Sequence, residues 1–274
     1  MEKVSQLLRT DINCKIIDFC GEWIPIYEAK VRRRGLASLT QRMRRATRNH
    51  FQEREQVARG RLRWAWSQIM EAVERLTRAQ WITMHIFDMD EEEALLMSLF
   101  SPYYIEAGEY GAGASTSRIS GAVGRPVIYR GATNWIGDNA IKFGKKYAHS
   151  VSDTTNHAIR DEIADAIRQG EGIDKVMDRI ASVYRDAEGY RSEMIARTEM
   201  SRAYNASALE QSKAFGITQF DWDGCDPACP ICGPFLGGPH TAEEIGAFIG
   251  ATHPNCMGTQ IDHIPEDFEP NELF

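Results

Sequence analysis

Four residues near the C-terminus have the types and spacing of a metal clasp. Cys229-Pro-Ile-Cys232 is a C-x2-C pair, and His253-Pro-Asn-Cys256 is an H-x2-C pair. Thiolate sulfur and imidazole nitrogen are soft ligands, and two chelating pairs about twenty residues apart suit a tetrahedral ion, zinc above all. Four protein ligands leave no open position for water, so the expected role is structural and not catalytic. Cys225 and His240 are spare ligand candidates. Two other readings of the same residues stand beside this one. One is a metal-free loop held by packing and hydrogen bonds. The other is a Cys229–Cys232 redox pair, which lacks the βαβ surroundings of thioredoxin-like motifs.

The elements that must position such a clasp follow from periodicity. Ile217-Thr218-Gln219-Phe220-Asp221-Trp222 alternates with period two and predicts a strand, and Met257–Ile261 predicts its partner. The segment between them is rich in Gly and Pro with little apolar content, so a staple is expected there. Upstream, Ile159, Ile163 and Ile167 predict a helix ending at Gly170, and Ile173, Val176, Ile180 and Val183 predict a second. Their short connection makes them antiparallel neighbours. A third helix is expected from near Gly189 to Phe215, stopped by Gly216. Further upstream, Val57, Leu62, Trp64, Ile69, Val73, Leu76 and Trp81 recur at helical spacing. Trp64, Trp66 and Trp81 read as packing residues and not as a platform for stacked bases.

Residues 107–124 hold Gly108, Gly111, Gly113, Gly121 and Gly124 with Ser115, Thr116, Ser117 and Ser120. A phosphate-cradling loop is excluded, because Thr116 stands where a GxGxxG pattern needs Gly and no GK[ST] follows. The expected fold is α+β and mostly α. An N-terminal helical region leads into a helical C-terminal domain, which ends in a small β-hairpin-like module with the Cys/His clasp. The expected divisions are a basic helical arm at 1–106, a linker or loop at 107–124, a domain at 125–262 and a flexible acidic tail at 263–274.

Composition bounds the function. The chain has 274 residues, 43% hydrophobic and 26% charged, within the range of soluble globular proteins. No apolar run approaches the roughly 18 residues of a membrane span. Charged residues interrupt Met1–Cys20, so no secretory signal is expected and the protein is expected in a cytoplasm. Cys14 and Cys20 read as small buried hydrophobes. Residues 1–87 carry 17 Lys and Arg against 9 Asp and Glu, whereas residues 88–274 carry 15 against 30. The basic run Arg32, Arg33, Arg34, Arg42, Arg44, Arg45 and Arg48 is the candidate surface for nucleic acid or a protein partner, with a solvated helix face as the plainer reading.

Pro126–Ala132 reads as a short strand and turn. Its Tyr129-Arg130-Gly131 also resembles a strand end of ADP-ribosyltransferases, where the arginine contacts the dinucleotide. Ser115-Thr116-Ser117 lies upstream of Arg130, however, and no Glu-x-Glu follows it. No nucleophile–base pair and no H-E-x-x-H motif occurs either, so the chain is not expected to be an enzyme. A metal-assisted hydrolase or nuclease, an ADP-ribosyltransferase-like transferase and a DNA-binding module remain the alternatives.

Ile195-Ala196-Arg197-Thr198-Glu199, followed by Asn205, Gly216, Trp222, Asp226, Cys229, Cys232, His253, Pro254 and Cys256, resembles the phage Mu F-like minor head (head morphogenesis) proteins. The resemblance spans roughly residues 145–262. It departs at Met257-Gly258, where the family commonly continues Cys-Arg-Cys. It implies a minor capsid protein of a tailed phage, packaged inside the head near the portal and assisting assembly or DNA delivery. Portal, major capsid or scaffolding proteins are then the expected partners, with packaged DNA a further one, and no membrane or small-molecule substrate. Arg197, Thr198 and Glu199 are expected to fix neighbouring backbone or loop groups, and Asn205 and Asp226 to cap turns beneath the clasp.

Overall fold

A computed structural model describes residues 26–69, 75–128, 134–224, 230–256 and 258–271. The expectations for Cys14, Cys20, Val73, Arg130, Cys225, Asp226, Cys229 and Met257 lie outside these residues, and those for the Arg32, Arg33 and Arg34 side chains lie outside the described side chains. The fold is α+β and mostly α. It runs α1 (Ile26–Ile69), α2 (Arg75–Ile86), α3 (Met89–Ala122), α4 (Asn134–Arg168), α5 (Ile173–Asp186), a kinked turn (Ala187–Arg191) and α6 (Ser192–Ala214). The C-terminal part adds β1 (Gln219–Asp223), a 3-10 turn (Gly233–Phe235), β2 (Gly237–Thr241), α7 (Ala242–Ala251) and β3 (Thr259–Asp262).

Helix ends follow from local chemistry. Gly170 takes φ +67°, a left-handed value that costs glycine nothing. The Glu171 N–H then reaches the Ala166 carbonyl at 3.0 Å, a Schellman-type closure of α4. Gly216, at φ +97°, ends α6 in the same way, with the Ile217 N–H donating to Ser212 at 3.0 Å. Asp88 caps α3 by accepting from the Glu91 N–H at 3.0 Å.

The chain divides into two compact units. One takes residues 40–103 and 138–196. Within it, Met43, Thr47, Phe51, Arg54, Ala58, Leu62 and Ala65 form the buried stripe of α1 at intervals of three and four residues. His50 and Arg54 share the buried Glu92: His50 Nε2 lies 2.6 Å from one oxygen and Arg54 Nε lies 2.6 Å from the other. Arg54 and Arg61 both donate to Glu91, at 3.0 and 2.9 Å. Trp81 stacks on His85 at 3.7 Å and on Trp64 at 6.2 Å, and Trp64 remains 55% exposed.

The other unit takes the described residues within 1–39, 104–137 and 197–274. Here the sequence expectation for residues 107–124 is corrected: α3 continues to Ala122. Its small residues are a helix-crossing surface. A Cβ on Gly111 would strike the backbone carbonyl of Tyr204, and one on Gly108 would lie 2.7 Å from Ser207 Oγ. Ser115 and Ser212 hydroxyls meet at 2.6 Å across the same crossing. Glycine and serine lower helix propensity, and this tertiary packing overrides it. The divisions at 106, 124 and 262 accordingly do not follow the two units.

The sheet has the order β2-β1-β3, antiparallel throughout. Phe220 and Trp222 on β1 alternate inward and join Phe215, Ile217, Leu209, Ile245, Phe248 and Ile249 in one core. Sequence reasoning missed β2, whose Gly237-Gly238-Pro239 carries no strand signal. It also underrated the segment between the strands. A capping box opens α7, where the Glu244 N–H donates to Thr241 Oγ1 and the Thr241 N–H donates to Glu244 Oε2. That helix buries Ile245, Phe248 and Ile249, so the segment is no empty loop. The acidic tail is also corrected as far as Asn271. Ile264 and Phe268 pack on the core, and the Asn271 N–H donates to Phe215 at 2.9 Å. Pro126–Ile128 forms no strand.

Candidate metal centre and its support

Cys232 and Cys256 are buried and His253 is half-buried, and their ligand atoms lie within 4.8 Å of one another. The Cys232 and Cys256 sulfurs stand 3.5 Å apart and are not joined by a disulfide. That separation is far beyond the ~2.05 Å of a disulfide. It is near the ~3.8 Å expected for two thiolates on one tetrahedral zinc with Zn–S of ~2.3 Å. His253 Nδ1 donates to the Pro254 carbonyl at 2.7 Å. The hydrogen bond fixes the tautomer and leaves the Nε2 lone pair for a ligand role. Two soft sulfurs and one imidazole thus form a group that can bind a metal. His240 is engaged elsewhere, donating through Nε2 to the Phe235 carbonyl at 3.1 Å.

Each ligand is carried by a short, specifically built turn. Cys232 ends a turn leading into the 3-10 segment, where the Phe235 N–H donates to its carbonyl at 2.9 Å. Phe235 then stacks on Phe248 of α7 at 3.9 Å. His253 and Cys256 flank Asn255, whose φ of +63° is left-handed and among the values asparagine tolerates best. The Cys256 N–H returns to the His253 carbonyl at 3.2 Å, closing the knuckle.

Helix α6 holds the knuckle from behind. Thr198 Oγ1 accepts from the Asn255 N–H at 2.9 Å. Arg202 Nη2 donates to the Thr252 carbonyl at 2.5 Å, and Arg202 Nη1 to Glu199 at 3.1 Å. The other Glu199 oxygen accepts from the Tyr104 hydroxyl at 2.6 Å. One turn further on, Asn205 Nδ2 donates to the Gly258 carbonyl at 3.1 Å. Asn205 Oδ1 accepts from the Gln260 N–H at 3.0 Å and from Thr259 Oγ1 at 2.9 Å. Thr198, Glu199 and Asn205 are therefore positioning residues that tie the turn and β3 to the helix. Arg197 is half-buried on α6.

Arg202 is the residue that sequence reasoning missed. It sits three positions after Glu199, a spacing at which helix side chains meet, whereas Arg197 sits two before it. A second pairing was also missed. Arg118 Nε donates to the buried Asp262 at 2.9 Å, and the Ser212 hydroxyl donates to the same carboxylate at 2.5 Å. Burial pulls the Arg118 pKa down, but Asp262 and Tyr204 outweigh it and hold the guanidinium above its ordinary value.

Gly258 explains the departure from a Cys-Arg-Cys ending. A Cβ there would lie 2.5–2.6 Å from the Trp222 indole, so this packing leaves no room for a side chain. Trp222 is buried and meets Phe248 edge-on at 4.9 Å. In the other unit, Arg42, Arg45 and Arg48 are exposed along one side of α1, while Arg44 lies 3.3 Å from Glu193. The structure thus gathers Cys232, His253 and Cys256 into one group. Among the described residues, no helix is long and apolar enough to cross a membrane.

Residues 157–257 match the family model described as Phage Mu protein F like protein. The match covers α5, α6, β1, β2, α7 and all three gathered ligands. No curated protein and no solved structure matches the chain.

Proposed function

We propose, from this Phage Mu F-like segment and the clasp built within it, that the protein is a minor capsid protein of a tailed bacteriophage. In this reading it assists head morphogenesis from inside the capsid, near the portal, in head assembly or DNA delivery. The family match at residues 157–257 is the observation that carries the reading. The clasp is then structural zinc, with Cys229 as the fourth ligand beside Cys232, His253 and Cys256. Its role is to hold two turns of a small module, and the protein performs no turnover of its own.

A second reading gives α1 a DNA contact through Arg42, Arg45 and Arg48, whose exposure on one side favours it. One experiment separates the two. The purified full-length protein, first assayed for metal, is mixed with portal, major capsid and scaffolding proteins in the presence of nuclease. The proposal expects about one equivalent of zinc per chain and capture of a head protein that survives nuclease. Less than ~0.2 equivalents of metal would sink the clasp as drawn. Capture lost to nuclease, with DNA binding that falls steeply with salt, would move the function to the α1 arginines.

A further inference from the structure

Several buried or half-buried arginines among the described residues rest against carboxylates. Arg54 has Glu91 and Glu92, Arg118 has Asp262, Arg179 has Glu162 and Glu171, and Arg202 has Glu199. A guanidinium taken out of water needs such a counter-charge to offset its desolvation. Arg191 breaks the pattern. Its Nη2 donates to the Val151 carbonyl at 2.9 Å, and its guanidinium lies 5.7 Å from the centre of the Phe51 ring. Among the described residues no carboxylate pairs with it, and burial alone lowers its pKa.

The position of Arg191 adds the second observation. It closes the kinked segment Ala187–Arg191, where Gly189 leaves helical geometry at φ −80°, ψ −113°. A sharp kink between two helices opens the surface beside it, because side chains on either side diverge. A cleft of about 500 Å³ opens at this turn, lined by Arg185, Asp186, Gly189, Tyr190, Arg191 and Met194. The depression is shallow and open to solvent, so it suits one face of a small ligand and not an enclosed one. Two cations against one carboxylate leave the lining net positive, and the 70% exposed Tyr190 supplies a flat apolar face.

We propose that this cleft binds an oxyanion, carboxylate or phosphate, carried on an aromatic or apolar body. Arg191 is the fixed partner, held in place by Val151 and Phe51. Arg185 is the outer cation, and Tyr190 with Met194 forms the shelf for the body. A guanidinium presents paired N–H groups that match either oxyanion.

The test uses full-length protein titrated with phenyl phosphate and, separately, with benzoate, read by calorimetry and by the shift in thermal midpoint. Arg191→Gln keeps a donor for Val151 and removes the charge, and should weaken binding by about tenfold or more. Arg185→Gln should weaken it by a smaller factor, and Arg168→Gln, outside the cleft, should leave it unchanged. Binding of phenyl phosphate identifies a phosphate source and binding of benzoate a carboxylate source, and either supports the site. Should Arg191→Gln not fold, a loss of affinity in Arg185→Gln decides in favour. The proposal is overturned if neither probe binds the wild type, or if both bind wild type and variants equally.

Discussion

Asn205 joins helix and clasp through a single amide. One end satisfies the Gly258 carbonyl and the other the Gln260 N–H, both buried. Removing the amide leaves both groups without partners at about 1–3 kcal/mol each, so Asn205→Ala should lower unfolding free energy by about 2–4 kcal/mol. Urea unfolding followed by circular dichroism measures this, and a loss below ~0.5 kcal/mol would show that the joint bears no stability. The gathering of Cys232, His253 and Cys256 is legible in sequence because C-x2-C and H-x2-C spacings are local signals. Their support is not legible in the same way. Arg202 meets Thr252 fifty residues downstream, a distance at which spacing carries no information.

Among the elements, α3 and α6 depend on a backbone approach that only glycine permits. At Gly111 the obstacle to a side chain is the Tyr204 carbonyl, which cannot swing aside. Gly111→Ala should therefore destabilise by about 1–3 kcal/mol through overpacking. At Gly113, on the same helix, an added Cβ meets nothing within 4 Å. Gly113→Ala should gain about 0.5–1 kcal/mol from the smaller loss of backbone entropy. Paired thermal melts of the two variants test the crossing, and equal shifts would refute it. The α4 stop at Gly170 and the alternation of β1 are readable because each has a local cause. The helix at 107–122 is not, since its glycines read as a loop until a partner surface is known. The α7 capping box was readable at Thr241 and Glu244, and its apolar Ile245, Phe248 and Ile249 should have weighed against a loop.

For the whole molecule, the division into two units cuts across α1, α3, α4 and α6, each of which supplies residues to both. No composition break marks those crossings, so a linear reading of domains fails here. Charge acts on this scale too. Hydrogen bonds from Arg54 and then Arg61 hold Glu91 below its ordinary 4.5. A carboxylate with a lowered folded pKa contributes stability above its unfolded value and loses it as pH falls through the folded one. Thermal midpoints should therefore drop as pH falls below about 4.5. Glu91→Gln should shrink that dependence, the effect being modest because the 39% exposed side chain is screened by solvent. An unchanged pH profile in the variant would rule this pair out as its source. Residues 214–274 contain no Lys or Arg at all.

The Gly-Ser face of α3 has a further consequence during synthesis. On a ribosome α3 is finished well before α6 exists, and the surface that will receive α6 must wait uncovered. A waiting stripe of leucine and phenylalanine would attract wrong partners in that interval. Gly108, Gly111, Ala112 and Ser115 offer almost nothing to adhere to. The same small residues that admit the Tyr204 backbone thus present little apolar surface to wrong partners in that interval.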